Sequence, residues 1–330
     1  MAYITDLRTI LGITVDTSTP DYLFGTADAD VINVYAGDNA VSALAGNDVI
    51  FDVRAYDGGY SGRDMVYGGA GNDLIVSSLD GAGNEYVGDA DEDTLNLIPN
   101  SNGVFVDLEA GIARDRATLA TSTVHTIENV VGTAMSDYLY GDTLANKLSG
   151  YNGDDLLSGR SGNDQLMGDR GRDVLFGGTG SDVLNGGADA DILYGEAGAD
   201  TLIGEAGNDT LVGGTGRDVL IGGLNADRFE LRALNHSGVT TATMDTIVDF
   251  QHLVDKIAVS DIDANALLGG NQAFTFRGDA AFNAAGQVRY VLDAANQATI
   301  VLFNTDNDAG AEMAIRLGTV VALTAGDFVL

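Results

Sequence analysis

A nine-residue period governs this chain. From Gly132 to Glu230 the sequence divides into eleven consecutive nonapeptides without a gap. One of them reads Gly177-Gly178-Thr179-Gly180-Ser181-Asp182-Val183-Leu184-Asn185. The first position is glycine in all eleven copies, and the sixth is Asp in ten, with Asn146 the exception. The eighth is Leu in ten, with Phe229 in the last copy. A unit this short cannot bury an apolar face by itself, so it must stack on its neighbours. Glycines at positions 1, 2 and 4 permit positive φ and a tight turn whose carbonyls face one point. Positions 7 to 9 predict a short strand, in which alternation turns position 8 inward.

Composition narrows the reading. The 330 residues carry 49 Asp and Glu against 16 Lys and Arg, a formal charge of −33. A polyanion of this strength repels phosphate backbones, so no nucleic acid is expected as a partner. There is no cysteine, hence no disulfide frame, thiolate nucleophile or Cys-ligated zinc. No apolar run approaches the ~18 residues of a membrane span. The start lacks the basic and apolar regions of a cleavable signal peptide. So many unbalanced carboxylates ask for bound cations.

The nonapeptides resemble the RTX, or hemolysin-type calcium-binding, repeat family. The resemblance implies an all-β fold, a parallel β-roll with two nonapeptides per turn. Aspartates 18 residues apart then stand over one another. One edge would stack Asp137, Asp155, Asp173, Asp191, Asp209 and Asp227. The other would stack Asn146, Asp164, Asp182, Asp200 and Asp218. Like charges ~5 Å apart cost several kcal/mol unless neutralised. Calcium between successive loops answers this, since it accepts six to eight oxygens in flexible geometry and magnesium demands a tighter octahedron. Carbonyls would come from the loop glycines Gly150, Gly153, Gly159, Gly162, Gly168, Gly171, Gly177, Gly178, Gly180, Gly195, Gly198, Gly204, Gly207, Gly213 and Gly216. About eight to twelve Ca2+ ions are expected in all. Asn146 and the non-glycine fourth positions Met135, Leu144, Asp189 and Asn225 should weaken the sites they touch.

Five segments are expected. Residues 1–24 form a lead-in. Residues 25–102 form a short irregular roll, with ligands Asp30, Asp48, Asp64, Asp73 and Asp93 and with insertions at 52–58 and 77–87 that break the register. Residues 103–131 form a β-hairpin connector, and 132–230 the regular roll. Residues 231–330 resemble the carboxy-terminal domain of serralysin-type secreted proteins, on Met244-Asp245-Thr246-Ile247-Val248-Asp249-Phe250 and Asp255-Lys256-Ile257. Alternating runs at 273–277, 287–292, 298–303 and 313–317 predict antiparallel strands that cap the roll. The tail, Asp327-Phe328-Val329-Leu330, resembles an uncleaved signal for type I secretion. That resemblance implies export by the type I machinery and an extracellular, surface-associated location.

No catalytic motif stands out. The zinc helix H-E-x-x-H is absent, and the three histidines, His125, His236 and His252, are scattered. There is no G-x-S-x-G elbow and no phosphate-binding G-x-x-x-x-G-K. Each repeat aspartate already has a structural role, so the chain is expected not to be an enzyme. Its expected role is a calcium-dependent structural, matrix, surface-layer or adhesive component, with self-assembly or a cell-surface polysaccharide as partner. The alternative is a carbohydrate-binding module. Outward positions 7 and 9 build an apolar row in which Tyr140, Phe176 and Tyr194 could receive sugar rings. Internal cover by the 103–131 hairpin or the amino-terminal roll is the favoured fate of that row.

Overall fold

A computed structural model describes residues 3–4, 13–14, 22–34, 37–53, 62–79, 83–265, 271–306 and 308–330. The lead-in and the two insertions lie wholly or partly outside these residues. Among the described residues there is no α-helix, and strands alternate between two parallel sheets, the arrangement of a β-roll. The chain divides into two compact units, Met1–Leu157 and Ser158–Leu330.

In the first unit one sheet runs Tyr22–Phe24, Ala40–Ser42, Met65–Ala70 and Glu85–Ala90, and the facing sheet Val31–Val34, Val49–Asp52, Leu74–Ser77 and Thr94–Asn96. Position 8 of each repeat points inward, so Leu23, Ile32, Val41, Ile50, Val66, Ile75 and Leu95 stack into a buried column. Both insertions break the nine-residue count without breaking the stack. Val41 pairs with Val66, and Ile50 with Ile75, 25 residues away.

The 103–131 connector is a three-stranded meander. Val104–Asp107 pairs antiparallel with Ile112–Asp115, which pairs antiparallel with Thr121–His125. Three strands are an odd number, so the chain leaves in the direction it entered. Thr121–His125 therefore lies parallel to Glu85–Ala90, and Val104–Asp107 parallel to Tyr138–Tyr140. The connector extends the sheet edge to edge, so it does not lie over the outer aromatic row of this unit. Phe105 instead continues that row, 5.6 Å from the ring of Tyr140. A strand whose backbone groups are free at its edge satisfies them by joining a ladder, and that places its side chains beside the row.

In the second unit the period is regular. Val174–Gly180, Ile192–Gly198, Thr210–Gly216 and Arg228–Glu230 form one sheet, and Gln165–Arg170, Val183–Ala188, Thr201–Ala206 and Val219–Leu224 the other. Leu166, Leu175, Leu184, Leu193, Leu202, Leu211 and Phe229 are each 0% exposed. Except for the three-residue Arg228–Glu230, these strands are six or seven residues long, where positions 7 to 9 alone predict three. They continue through the glycines: after a skipped pair at Gly177, Gly178 aligns with Glu196 and Gly180 with Gly198.

Beyond Glu230 the roll continues without the repeat. Asp245–Ile247 pairs with Val219–Leu224, and Lys256–Ala258 with Arg228–Glu230. The end strands then close both edges. Met313–Leu317 joins Asp245–Ile247, and Phe328–Val329 joins Lys256–Ala258, all parallel. Ala298–Asn304 and Gln287–Asp293 extend the first of these in antiparallel fashion. The run expected at 273–277 contributes only Thr275–Phe276, and it pairs parallel to Gln287–Asp293.

Candidate metal centre

The position-6 aspartates, apart from the half-buried Asp30, are buried at the margins of the roll. Each presents its two oxygens to different tasks. The Oδ1 atom accepts the backbone N–H of the corresponding residue one turn earlier. In the second unit Asp164 donates to Asp182 at 2.8 Å, Asp182 to Asp200 at 2.9 Å, and Asp200 to Asp218 at 3.0 Å. On the other margin Asp173 donates to Asp191 at 2.8 Å, Asp191 to Asp209 at 2.9 Å, and Asp209 to Asp227 at 3.1 Å. Such a bond satisfies an N–H that the tight turn leaves without a ladder partner.

The Oδ2 atoms have no such partner. Those of Asp182, Asp191, Asp200, Asp209, Asp218 and Asp227 are buried without a hydrogen bond, as are those of Asp48, Asp73 and Asp93 in the first unit. All but that of Asp48, whose repeat opens on Ala43, lie beside the first glycine of their own repeat. A Cβ at Gly177 would meet Asp182 Oδ2 and the Gly195 carbonyl oxygen, and one at Gly204 would meet Asp209 Oδ2 and the Gly222 carbonyl. A buried carboxylate oxygen next to a carbonyl oxygen, with no proton donor, is unfavourable unless a cation lies between them. Burial and neighbouring aspartates raise these acids accordingly. Burial, with Asp173 and Asp209 alongside, pushes Asp191 up to about 8. Asp200 and Asp227 rise to about 7, and Asp209 and Asp218 to about 6, again chiefly through burial.

Hard oxygen donors alone, with no nitrogen or sulfur ligand, are the donor set of calcium. The residues that would hold it are Asp182, Asp191, Asp200, Asp209, Asp218 and Asp227 with the adjoining glycine carbonyls, and in the first unit Asp48, Asp73 and Asp93. When bound, Ca2+ supplies the counter-charge that protons would otherwise have to provide.

Other expected ligands are placed differently. At Asp30 and Asp137 a threonine replaces the second glycine, and its N–H bonds the carboxylate: Thr26 donates to Asp30 Oδ2 at 2.6 Å and Thr133 to Asp137 Oδ2 at 2.5 Å. Asn146 holds its own turn, accepting the Asp142 N–H at 2.8 Å. Asp155, Asp164 and Asp173 are buried on the same margins, and Asp64 accepts the Asn39 N–H. At the fourth position Asp189 and Asn225 adopt φ of 79° and 80°, so the left-handed turn survives without glycine there.

Four ladder members fall outside the repeat pattern. Asp218 donates to Asp245 Oδ1 and Asp227 to Asp255 Oδ1, so both ladders run one rung past the repeats. Asp93 donates to Glu128 Oε2, and Asp64 to Asn84 Oδ1. One signal could have found all four: each stands two residues before a buried core side chain, namely Ile247, Ile257, Val130 and Tyr86. That is the spacing of positions 6 and 8.

A family model for the RTX calcium-binding nonapeptide repeat matches residues 17–50, 59–80, 131–166, 167–202 and 203–232. These are RTX calcium-binding nonapeptide repeats. RTX repeats bind several Ca2+ ions, so calcium is the metal of these ladders. No curated protein matches the chain. Among solved structures, the AlgE6R3 subunit of the Azotobacter vinelandii mannuronan C5-epimerase is 28% identical, over 46% of this chain and 80% of that one, with a TM-score of 0.35. The AlgE6R2 subunit of the same organism's epimerase is 26% identical, over 44% and 88%, at 0.33. The extracellular lipase LipA of Serratia marcescens is 18% identical, over 94% and 40%, at 0.30. No helix among the described residues is long and apolar enough to cross a membrane.

Of the aromatic row, Phe176 and Tyr194 stack with centroids 4.9 Å apart and planes 11° from parallel, both half-buried. Arg232 lies over Tyr194 at 5.0 Å and is held by Glu230 at 2.7 Å. Tyr140 lies in the first unit beside Phe105.

Proposed function

We propose that the chain is a secreted, non-catalytic scaffold that becomes rigid when it binds calcium outside the cell. The observation that carries this reading is the set of buried, unpartnered Asp Oδ2 atoms along both margins of the roll. Calcium at the micromolar and lower levels of a cytoplasm leaves weak extracellular-type sites empty, and millimolar calcium fills them. Ion binding then supplies folding free energy, because the ligands converge only in the folded chain. A loose, self-repelling precursor suits threading through a type I exporter, and the tail's resemblance to that pathway's signal supports the route. The role that follows is a matrix, surface-layer or adhesive component. Light scattering and electron microscopy during a calcium titration test it: calcium-dependent sheets or filaments support the scaffold, and a compact monomer at all calcium levels counts against it.

A second reading, a carbohydrate-binding module, is favoured by the Phe176–Tyr194 ring pair beside Arg232. A sugar ring packs on such a surface. Glycan binding lost on Tyr194→Ala would support this reading over the first.

A further inference from the structure

Several arginines are held by partners. Arg228 and Arg232 both pair with Glu230, and Arg63 donates to the Gly83 carbonyl. Arg316 donates to the Asn296 carbonyl. Arg277 and Arg289 differ. Each stands one residue past the aligned pair Phe276 and Val288 on neighbouring parallel strands. Aligned neighbours in a parallel ladder point to the same face, ~4.8 Å apart. Phe276 and Val288 face inward or toward the Tyr290 and Phe328 rings, so the two arginines share the opposite face.

Among the described residues no carboxylate pairs with either guanidinium, in a chain of net charge −33. The Nε of each is buried with no acceptor. Arg277 otherwise reaches only the Ala281 carbonyl, at a long 3.5 Å, and Arg289 lies 5.7 Å from the centre of the Phe282 ring. Two cations on the same face of neighbouring strands repel each other, and two buried N–H donors without acceptors carry a desolvation cost. One oxyanion relieves both, because a guanidinium offers parallel N–H donors matched to a carboxylate or sulfate edge.

We propose that Arg277 and Arg289 form an oxyanion site on the outer face of the carboxy-terminal sheet, taking the carboxylate or sulfate group of a small ligand or a saccharide. It is separate from the calcium ladders and does not rest on the scaffold reading. The test is nuclear magnetic resonance of the arginine Nε–H groups in the full calcium-loaded chain. Sodium sulfate and trigalacturonate are titrated, with sodium chloride at matched ionic strength as control. Both Nε–H signals should shift saturably with sulfate, trigalacturonate or both, and not with chloride. Tighter binding of trigalacturonate identifies a saccharide carboxylate as the source, and tighter binding of sulfate a small anion. Arg289→Lys keeps the charge but loses the fork, and should weaken binding about tenfold. Arg277→Gln should do the same, and the Leu-core methyl signals report that each variant is folded. Shifts that track chloride equally, or binding untouched by both substitutions, would overturn the proposal.

Discussion

The two units build the same ladder from unequal sequence. In the second, every repeat-to-repeat rung spans 18 residues. In the first, rungs span 25 residues from Asn39 to Asp64 and from Asp48 to Asp73, 20 from Asp73 to Asp93, and 35 from Asp93 to Glu128. The distances differ little, from 2.8 to 2.9 Å across these four. What the fold requires is a carboxylate or amide oxygen facing an N–H one turn back, two residues before a buried side chain. Chain length between turns is free, since looping out more residues costs only the slowly growing closure entropy.

The largest contrast is expected at the glycines. Gly180 has φ of 141°, and a Cβ there would run into the Gly162 carbonyl of the neighbouring turn. Gly83 also has positive φ, 90°, but its nearest atoms are the Arg63 side chain at 3.8 Å. Gly180→Ala should therefore cost the backbone strain, about 1–3 kcal/mol, plus the clash, and Gly83→Ala the strain alone. Thermal unfolding in saturating calcium measures both. Equal losses would show that the turns of the regular roll are not closely stacked.

Asp200→Asn and Asp73→Asn come next. Each keeps an oxygen for the rung and removes the charge of an unpartnered Oδ2. The calcium midpoint of folding should rise about tenfold for Asp200→Asn, whose neighbours on the ladder are all aspartates. The shift should be smaller for Asp73→Asn, because the ladder past Asp93 passes to a glutamate. A midpoint unmoved by either change would remove these residues from the metal sites.

The smallest effect concerns a difference in the cores. The second unit stacks Leu on Leu. The first places Tyr86 in the column, its hydroxyl donating to Asp52 Oδ2 at 2.6 Å and also bonded to Ser77 and Asn84. Tyr86→Phe removes the donor from a buried carboxylate and should cost about 1–3 kcal/mol. Chemical denaturation would read it, and a stability gain would show that the buried network opposes folding.

Much of this was legible in the residues. Glycine at position 1, Asp at 6 and Leu at 8 specify turn, ligand and core, and the repeat fixed their stacking. Asp245, Asp255 and Glu128 were missed because the glycine loop before each is gone, and only the two-residue offset to Ile247, Ile257 and Val130 remains. The course of the 103–131 connector was not legible either. An alternating strand suits the face or the edge of a sheet equally well. Its free backbone groups decided for the edge, which set Phe105 beside Tyr140 rather than the connector over it. At Asp30 and Asp137, Thr26 and Thr133 fill the place of a glycine and bond the carboxylate that the pattern alone assigns to metal.

The central claim is that calcium takes the place of protons on buried aspartates. Asp191 and Asp245 are raised to about 8, and Asp200 and Asp227 to about 7, from an ordinary value of 3.8. The folded pKa exceeds the unfolded one, so the metal-free roll binds protons on folding. Its stability is fullest below about pH 4 and is lost as pH rises through 6 to 8. Circular dichroism from pH 8 to pH 4, with chelator and with millimolar calcium, measures this directly. The account predicts that β-structure in chelator grows as pH falls, and that the calcium concentration needed for folding decreases over the same range. A roll equally folded at pH 8 with and without calcium would contradict it.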